Sequence, residues 1–283
     1  MIQKRNRWLV NVVLIISVVA LLGFSMVPLI QGVIQNNQNT TNGKPSPTQP
    51  AANSGPKKEE LEARAKGYEL VLQREPDNQT ALKGLLEAKL GLGDVKGAIP
   101  PLEKLAKANP NEADYGVLLA QAKQQVGDLE GSAQAYRQLL QTKPGNINAL
   151  SGFTNLLLSQ KRPEAAIGLL QDALKSAPTT GVDPVSVNVL LGDVYASQQR
   201  FNEALNSFDQ AAQTNPQDFR PVLGKALVLQ RQGKAEEAKA LFTQAGNMAP
   251  TQFKDQINRL AAAPASSPNS NPAPTKAPVP AKP

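Results

Sequence analysis

The side chains that most often carry out catalysis are missing from this chain. Its 283 residues include no histidine and no cysteine, so it lacks the usual general base, the thiol nucleophile and the softer metal ligands. Carboxylates remain, such as Asp193 and the pair Glu236 and Glu237, but they stand at spacings suited to ion pairs on helix surfaces. We therefore predict that the chain is not an enzyme, binds no metal or cofactor and has no small-molecule substrate.

The distribution of charge argues against nucleic-acid binding. The formal net charge is +7, but four of the 30 basic residues precede residue 57 and two follow residue 263. The 24 that remain lie in the same region, 57–263, as all 23 acidic residues. No basic stripe with interleaved aromatic side chains occurs there. We expect this region to present an ordinary solvated surface and to bind no nucleic acid.

The amino terminus has the pattern of a membrane anchor. Basic residues within positions 1–7 precede an uncharged run from Trp8 to Ile34, which as a helix would be about 40 Å long at about 1.5 Å per residue. The run is longer than the apolar part of a secretory signal, and no A-x-A-like cleavage site follows it. We predict an uncleaved single transmembrane helix, with a cleaved signal as the alternative.

The flanking segments suggest an orientation for this helix. Positions 1–7 are basic, whereas Lys44 is the only charged residue in 35–56, so the positive-inside rule keeps the amino terminus in the cytoplasm. The rest of the chain would then lie on the extracytoplasmic side, in a periplasm or a thylakoid lumen, with the cytoplasmic side as the alternative. Residues 35–56 read as a flexible linker, and 264–283 as a disordered proline-rich tail.

Between these segments the sequence repeats itself. Prolines recur at a constant interval at Pro76, Pro110, Pro144 and Pro178, and after one longer step the same interval separates Pro216 from Pro250. Small and aromatic residues recur at matching offsets before each proline, most clearly at Leu191, Gly192, Tyr195, Ala204, Phe208 and Ala211. Their spacing by three and four positions predicts two amphipathic helices per repeat. Such helix pairs become stable by stacking on one another.

Local residues predict how the helices are joined. Gly93, Gly127 and Gly233 fall at the turn within a pair, where we expect a positive φ that glycine adopts at low cost. Asp94 and Asp128 follow as N-caps of the second helices. Where two helices of one pair meet, we expect Gly192 and Ala204 to face each other across the contact.

Two places depart from the pattern. Pro100 and Pro101 fall inside a predicted second helix, which should therefore start late or kink. The longer step between prolines places four extra residues in the turn-rich segment 179–184, which we expect to form a longer loop. Pro163, in contrast, stands where a helix begins.

These offsets resemble the tetratricopeptide repeat, a unit of two antiparallel helices. The resemblance implies an all-α fold, a right-handed superhelix of stacked helix pairs, here with one amino-terminal transmembrane helix. The predicted organisation is 1–7 basic segment, 8–34 anchor, 35–56 linker, 57–78 half repeat, 79–112, 113–146, 147–180, 185–218 and 219–250 full repeats, 251–263 capping helix, and 264–283 tail. The repeat domain thus covers 57–263.

In tetratricopeptide proteins the first helices of successive repeats line a concave groove that binds protein or extended peptide. The corresponding residues here are Lys83, Glu87, Gln121, Gln124, Gln125, Asn148, Ser151, Asn155, Ser159, Ser186, Asp193, Ser197, Arg220, Gln230 and Arg231. Amides and hydroxyls dominate this set. Such groups bond to a peptide backbone with little dependence on its side chains.

The combination of anchor, linker and repeats, and the sequence of residues 68–99, are similar to membrane-anchored tetratricopeptide proteins of cyanobacteria and plastids. That similarity implies a scaffold or adaptor in the assembly of a membrane complex, at a photosynthetic membrane. Two alternatives remain at this point. A cleaved leader would give a soluble secreted repeat protein, and the chain could instead be the non-catalytic recognition subunit of an enzyme complex.

Overall fold

The computed structural model describes residues 58–263, and within this range it contains twelve α-helices and no strand. The helices are α1 Lys58–Arg74, α2 Gln79–Gly91, α3 Val95–Ala108, α4 Ala113–Gln125, α5 Leu129–Thr142, α6 Ile147–Ser159, α7 Pro163–Thr180, α8 Pro184–Ser197, α9 Phe201–Thr214, α10 Phe219–Arg231, α11 Ala235–Met248 and α12 Thr251–Ala262. The predicted all-α class is confirmed for these residues.

Contacts between helices follow the order of the chain. Each helix packs against the next one, from α1 to α12. The first helices of neighbouring pairs also contact one another, α4 with α6, α6 with α8, and α8 with α10. A structure in which each unit touches mainly its neighbours is a solenoid, and its stability depends on the interfaces between successive units.

The turns within the helix pairs require a left-handed backbone residue. Gly93, Gly127 and Gly233 have φ values of 72°, 87° and 78°, which confirms the prediction for these three turns. In the other two pairs Lys161 and Gln199 adopt the same conformation, with φ of 58° and 60°. The turn geometry therefore persists where the sequence supplies no glycine, although it is less favourable for residues with a Cβ atom.

Aspartates begin two of the second helices as predicted. The Asp94 carboxylate accepts a hydrogen bond from the backbone N–H of Gly97 at 2.8 Å, and Asp128 accepts one from Gly131 at 2.9 Å. In both cases the donor is one of the helix N–H groups that has no partner within the helix. The bond to Gly97 is the largest contribution that lowers the pKa of Asp94 below its ordinary value.

The prolines of α3 do not delay its start. The helix begins at Val95, directly after its N-cap Asp94, and contains Pro100 and Pro101 within its span. The expectation of a late start is wrong, because the aspartate cap and the glycine turn fix the first residue before the prolines are reached. Pro101 is buried and fills part of the core.

The four extra residues before α8 lengthen a helix instead of a loop. Helix α7 continues through Pro178 to Thr180 and ends at Gly181, whose φ is 68°. Asp183 then caps α8 by accepting hydrogen bonds from the N–H groups of Val185 and Ser186, each at 3.1 Å. The predicted long loop is wrong, because the left-handed residue that ends α7 is Gly181, three residues after the proline.

Aromatic rings of one repeat lie against glycines of the next. The pairs are Tyr68 with Gly84, Tyr136 with Gly152, and Phe208 with Gly224. In the intervening repeats leucines occupy both of the corresponding places, Leu102 and Leu118, then Leu170 and Leu190. Interfaces with one ring and one glycine thus alternate with interfaces that have two leucines. The combined volume of the two side chains is therefore similar at each of these interfaces, as close packing requires.

Phe208 is the residue that Gly192 faces. A Cβ atom at Gly192 would lie 2.5 Å from Cε1 of Phe208, and one at Gly224 would lie 2.5 Å from the same atom. The atoms nearest to a Cβ added at Gly192 thus belong to the Phe208 ring. Ala204 is fully buried nearby on the same helix as Phe208. One ring fills the space left by two glycines.

Adding a methyl group at one of these glycines should be destabilising. In Gly152→Ala the new atom would overlap the Tyr136 ring, and we expect a loss of about 1 to 3 kcal/mol in the free energy of unfolding. The matched control is Gly168→Ala, another helical glycine, where nothing lies within 4 Å of the added atom. This control should gain about 0.5 to 1 kcal/mol from helix propensity. Urea unfolding distinguishes the two; a stabilised Gly152→Ala would mean that the ring does not occupy this space.

Among residues 58–263, no helix is both long and apolar enough to cross a membrane. The predicted anchor at 8–34, the linker at 35–56 and the tail at 264–283 lie outside the described residues.

Candidate functional site

The fifteen predicted groove residues all lie on first helices. Helix α2 carries Lys83 and Glu87, α4 carries Gln121, Gln124 and Gln125, α6 carries Asn148, Ser151, Asn155 and Ser159, α8 carries Ser186, Asp193 and Ser197, and α10 carries Arg220, Gln230 and Arg231. We call this set the first-helix face. Because α4, α6, α8 and α10 contact one another in sequence, its central part is continuous.

The centre of the first-helix face carries amide side chains without hydrogen bonds to other described residues. Gln121 and Gln125 on α4 are exposed, and Gln124 and, on α6, Asn155 are half-buried. Each amide has two N–H donors and one carbonyl acceptor. Helix packing therefore leaves this part of the face able to donate to and accept from a ligand.

Two serines of the face bond to their own helices. The hydroxyls of Ser159 and Ser197 donate to the carbonyls of Leu156 and Val194, each at 2.7 Å. Their oxygens keep acceptor capacity, but their protons are engaged. These two residues are thus weaker candidates for ligand contact than the amides.

At the amino-terminal end of the face, Lys83 leans toward the next first helix. Its Nζ lies 5.8 Å from the centre of the Tyr115 ring on α4, within the range of a cation–π contact. Glu87, one turn further along α2, is exposed. This end of the face therefore presents one cation over an aromatic ring and one free carboxylate.

At the carboxyl-terminal end, one ion pair and two hydrogen bonds form a network that links α8 and α10. Arg220 pairs with Asp218 at 2.6 Å and donates to the Ser186 hydroxyl at 3.1 Å. Ser186 is buried and donates in turn to the carboxylate of Asp183. Ser186 and Arg220, both predicted as ligand contacts, are thus hydrogen-bonded to each other across two first helices.

Asp193 is a half-buried carboxyl group with neither an ion pair nor a hydrogen bond to another described residue. Burial raises its pKa to about 7, against the opposite effect of Arg231 and Arg220 on α10. Burial also lowers the pKa of Arg231, whose guanidinium reaches the carbonyl of Ala196 at 3.4 Å. The sequence pattern places Asp193 on the first-helix face but does not predict its raised pKa.

Asp193 should make the stability of the protein fall as pH rises toward neutrality. Its pKa is raised from 3.8 to about 7 by folding, so between these values the folded state holds a proton that the unfolded state releases. The free energy of unfolding then decreases from about pH 4 to about pH 7. The chain has no histidine that could also change its charge in this range. Asp193→Asn should therefore flatten the dependence of the free energy of unfolding on pH.

Urea unfolding at a series of pH values tests this prediction. The matched control is Asp172→Asn, which removes an exposed carboxylate on α7 and should retain the wild-type slope. A slope that is the same in Asp193→Asn and in the wild type would contradict the assignment.

Gln230 is engaged in holding the last helix. Its Nε2 donates to the carbonyls of Leu260 and Ala263, at 3.1 and 2.9 Å. These carbonyls belong to the carboxyl-terminal end of α12, where the helix leaves acceptors without partners. In this structure Gln230, which is also a predicted groove residue, therefore caps the end of α12.

Comparison with known proteins identifies the repeat. A family model described as tetratricopeptide repeat matches residues 62–247. The chain belongs to the tetratricopeptide repeat family. The resemblance proposed from the prolines and the small residues is thereby confirmed, and the helix pairs of the structure are tetratricopeptide repeats.

Two curated relatives match the tetratricopeptide region. The chain is 29% identical over 186 residues to the protein SLOW GREEN 1, chloroplastic, of Arabidopsis thaliana, which covers 65% of this chain and 59% of that protein. It is 24% identical over 140 residues to cellulose synthase operon protein C of Pseudomonas fluorescens, covering 48% of this chain and 11% of that protein. The chain thus spans less than two thirds of either relative.

Among solved structures, yeast Tom70 shares the fold. Its crystal structure superposes with a TM-score of 0.53 at 16% sequence identity, covering 74% of this chain and 43% of Tom70. At this identity the likeness concerns the tetratricopeptide fold alone.

Apolar residues of the tetratricopeptide first helices were missed by sequence reasoning. Leu90, Gln124 and Leu158 are separated by the same interval as the prolines, so they share one offset, yet only the glutamine was assigned to the face. Leu90 is 40% exposed, which is unusual for a leucine in a packed repeat. The fixed spacing was the signal that could have found them. The face alternates apolar and amide groups along this row.

Proposed function

We propose that this tetratricopeptide protein is a membrane-anchored adaptor that binds an extended segment of a partner protein on its first-helix face. The observation that carries the proposal is the group of uncommitted amides on α4 and α6. Gln121, Gln124, Gln125 and Asn155 make no hydrogen bond to another described residue, although α4 and α6 pack together.

The chemistry of this face suits a peptide backbone. An extended peptide offers alternating N–H and C=O groups, and an amide side chain can bond to either. Leu90 and Leu158 lie in the same row as Gln124 and offer apolar contacts for side chains of the ligand. Recognition would therefore depend on the backbone for affinity and on a few apolar side chains for selection.

The membrane part of the proposal is supported by the uncharged run at 8–34 and its basic flank. We further propose a role in the assembly or biogenesis of a membrane complex at a photosynthetic membrane. Support for this comes from the chloroplast protein among the relatives. A soluble secreted form after cleavage of the leader, or a recognition subunit of an enzyme complex, would use the same face without the anchor.

Site-specific crosslinking in intact membranes tests the proposed binding face. A photoreactive amino acid at position 155 on α6 should capture a partner protein. The control places the same group at Gln138, an exposed position on the second helix α5. If a partner is captured equally from both positions, or only from position 138, the first-helix face is not the binding site.

Protease protection tests the proposed topology. If the anchor is retained with its amino end in the cytoplasm, protease added to the cytoplasmic face should leave the repeats intact, and alkali should not release the protein. Digestion of the repeats from that side would reverse the orientation. Release by alkali, together with a mature chain shortened at its amino end, would favour the secreted form.

A further inference from the structure

The first helix of the described structure has an exposed face of unusual composition. Leu70 is 54% exposed and Val71 is 39% exposed. At 100° per residue they share one side of α1 with small residues and with one charge near each end. We call this side the α1 outer face, and it consists of Glu60, Ala63, Gly67, Leu70, Val71 and Arg74. The opposite side of α1, which includes buried Ala65, packs on α2.

The other repeats show that the leucine is exceptional. At the position equivalent to Leu70 in the later repeats, the second helices carry Lys104, Gln138, Asp172, Gln210 and Gln244. All five are polar and exposed. This position therefore faces solvent in a complete repeat, and only α1 places a large apolar side chain there. Together with exposed Val71, Leu70 forms an apolar patch on a terminal helix, which is a candidate contact surface.

Helix α1 does not offer the close approach that a first helix of its own repeat would need. In the full repeats, a small buried residue allows the first helix to approach the second, namely Ala98, Ser132, Ala166, Ala204 and Ala238. The equivalent residue in α1 is Arg64, which is exposed.

We infer that the α1 outer face binds the α1 outer face of a second copy of this chain, with the two helices antiparallel about Gly67. Residues equally distant from Gly67 then meet. Ala63 of one copy lies opposite Val71 of the other, and Glu60 lies opposite Arg74. These two pairs are complementary in size and in charge, as a two-fold symmetric contact requires, and Leu70 lies opposite Arg64, whose aliphatic stem can cover it.

The chemistry of each pair favours this arrangement. Gly67 has no neighbour within 4 Å of an added Cβ, so the backbones of two helices can approach closely there. Arg74 has no ion pair with another described residue, and the partner of Glu60 is the exposed Arg64. When Glu60 pairs with Arg74 of the second copy instead of with Arg64 of its own chain, one exposed ion pair replaces another. The contact adds burial of Leu70 and Val71 on both copies.

The size of the surface sets its strength. Helix α1 has 17 residues and is about 25 Å long at about 1.5 Å per residue. A contact between two such helices falls at the small end of specific protein interfaces, so a reversible dimer is expected. Confinement of two copies to one membrane would raise their local concentration.

Cysteine crosslinking of the full chain tests the contact, because the chain has no cysteine of its own. Gly67→Cys should give a disulfide-linked dimer under mild oxidation. The control Gln138→Cys places the thiol at the solvent position of another second helix and should give several-fold less dimer. Equal yields from the two variants, or a disulfide from position 67 to a different protein, would overturn the inference.

Orientation is tested by mixing two variants. In the antiparallel contact, Ala63→Cys should link to Val71→Cys in a mixture, more than either variant links to itself. A parallel contact would give the reverse preference and would contradict the proposed symmetry.

Two substitutions test the contributions of apolar contact and charge. Leu70→Gln, which installs the residue found at three equivalent positions, should lower the Gly67→Cys yield several-fold with an unchanged melting temperature. Glu60→Arg or Arg74→Glu should each lower the yield, and the two together should restore it. If the dimer yield is unchanged by all three substitutions, the α1 outer face is not the contact surface. None of these readouts depends on peptide binding by the first-helix face, so the two proposals can fail separately.

Discussion

Replacing Phe208 with alanine should lower the free energy of unfolding by about 3 to 5 kcal/mol. The ring is fully buried on α9 and lies against Gly192 of its own repeat and Gly224 of the next. Neither glycine has a side chain that could move into the space left by the ring. The cavity would therefore weaken contacts both within one repeat and between two repeats. Urea unfolding followed by circular dichroism measures the loss.

The control for this experiment lies two residues further along the same helix. Gln210 is exposed, and Gln210→Ala should change the free energy of unfolding by less than about 0.5 kcal/mol. A loss below about 1 kcal/mol in Phe208→Ala would show that the neighbouring helices can close the gap. The prediction of a lasting cavity would then be wrong.

Replacing Gln121, Gln125 and Asn155 together with alanine should weaken binding of the partner peptide by about thirty- to a thousandfold. Each amide bonded to a peptide backbone contributes about 0.5 to 1.5 kcal/mol net, so the triple variant loses about 2 to 4 kcal/mol of binding free energy. Binding of the partner segment captured by the crosslinking would be measured by calorimetry. Single changes should each have a small effect.

Folding should be unaffected in the triple variant. None of the three amides bonds to another described residue, so helicity and melting temperature should stay close to the wild-type values. The matched control replaces three exposed amides of second helices, Gln134, Gln138 and Gln210, and should bind the peptide normally. Undiminished binding by a folded triple variant would move the site away from the first-helix face.

The constant interval between the prolines made most of the fold predictable. It fixes where each pair of helices begins, because turns and caps repeat with it. The turn glycines and the caps Asp94 and Asp128 depend on two or three neighbouring residues only. Local patterns of this kind can be read directly from a sequence. The tetratricopeptide family and the placement of Gln121 and Asn155 on first helices follow from the same interval.

Features that depend on packing were less accessible. Proline rules predicted an end to α7 near Pro178, but contacts with its neighbours carry the helix to Thr180. The pattern did not show that the single ring of Phe208 fills the space left by both Gly192 and Gly224. The raised pKa of Asp193 arises from burial between two first helices. Each of these results needs the position of a residue from another helix, which spacing along one chain does not give.

The alternation of ring–glycine and leucine–leucine contacts has a consequence for how such a stack can be shortened or extended. Removing one repeat, positions 113–146, would bring Leu102 against Gly152 and leave a void in the new interface. Removing two, positions 79–146, would bring Tyr68 against Gly152 and recreate a pairing already present. Between Tyr68 and Gly224, deleting repeats in twos preserves the pairing of rings with glycines, so the modular unit of this part of the stack is a double repeat, twice the interval between the prolines.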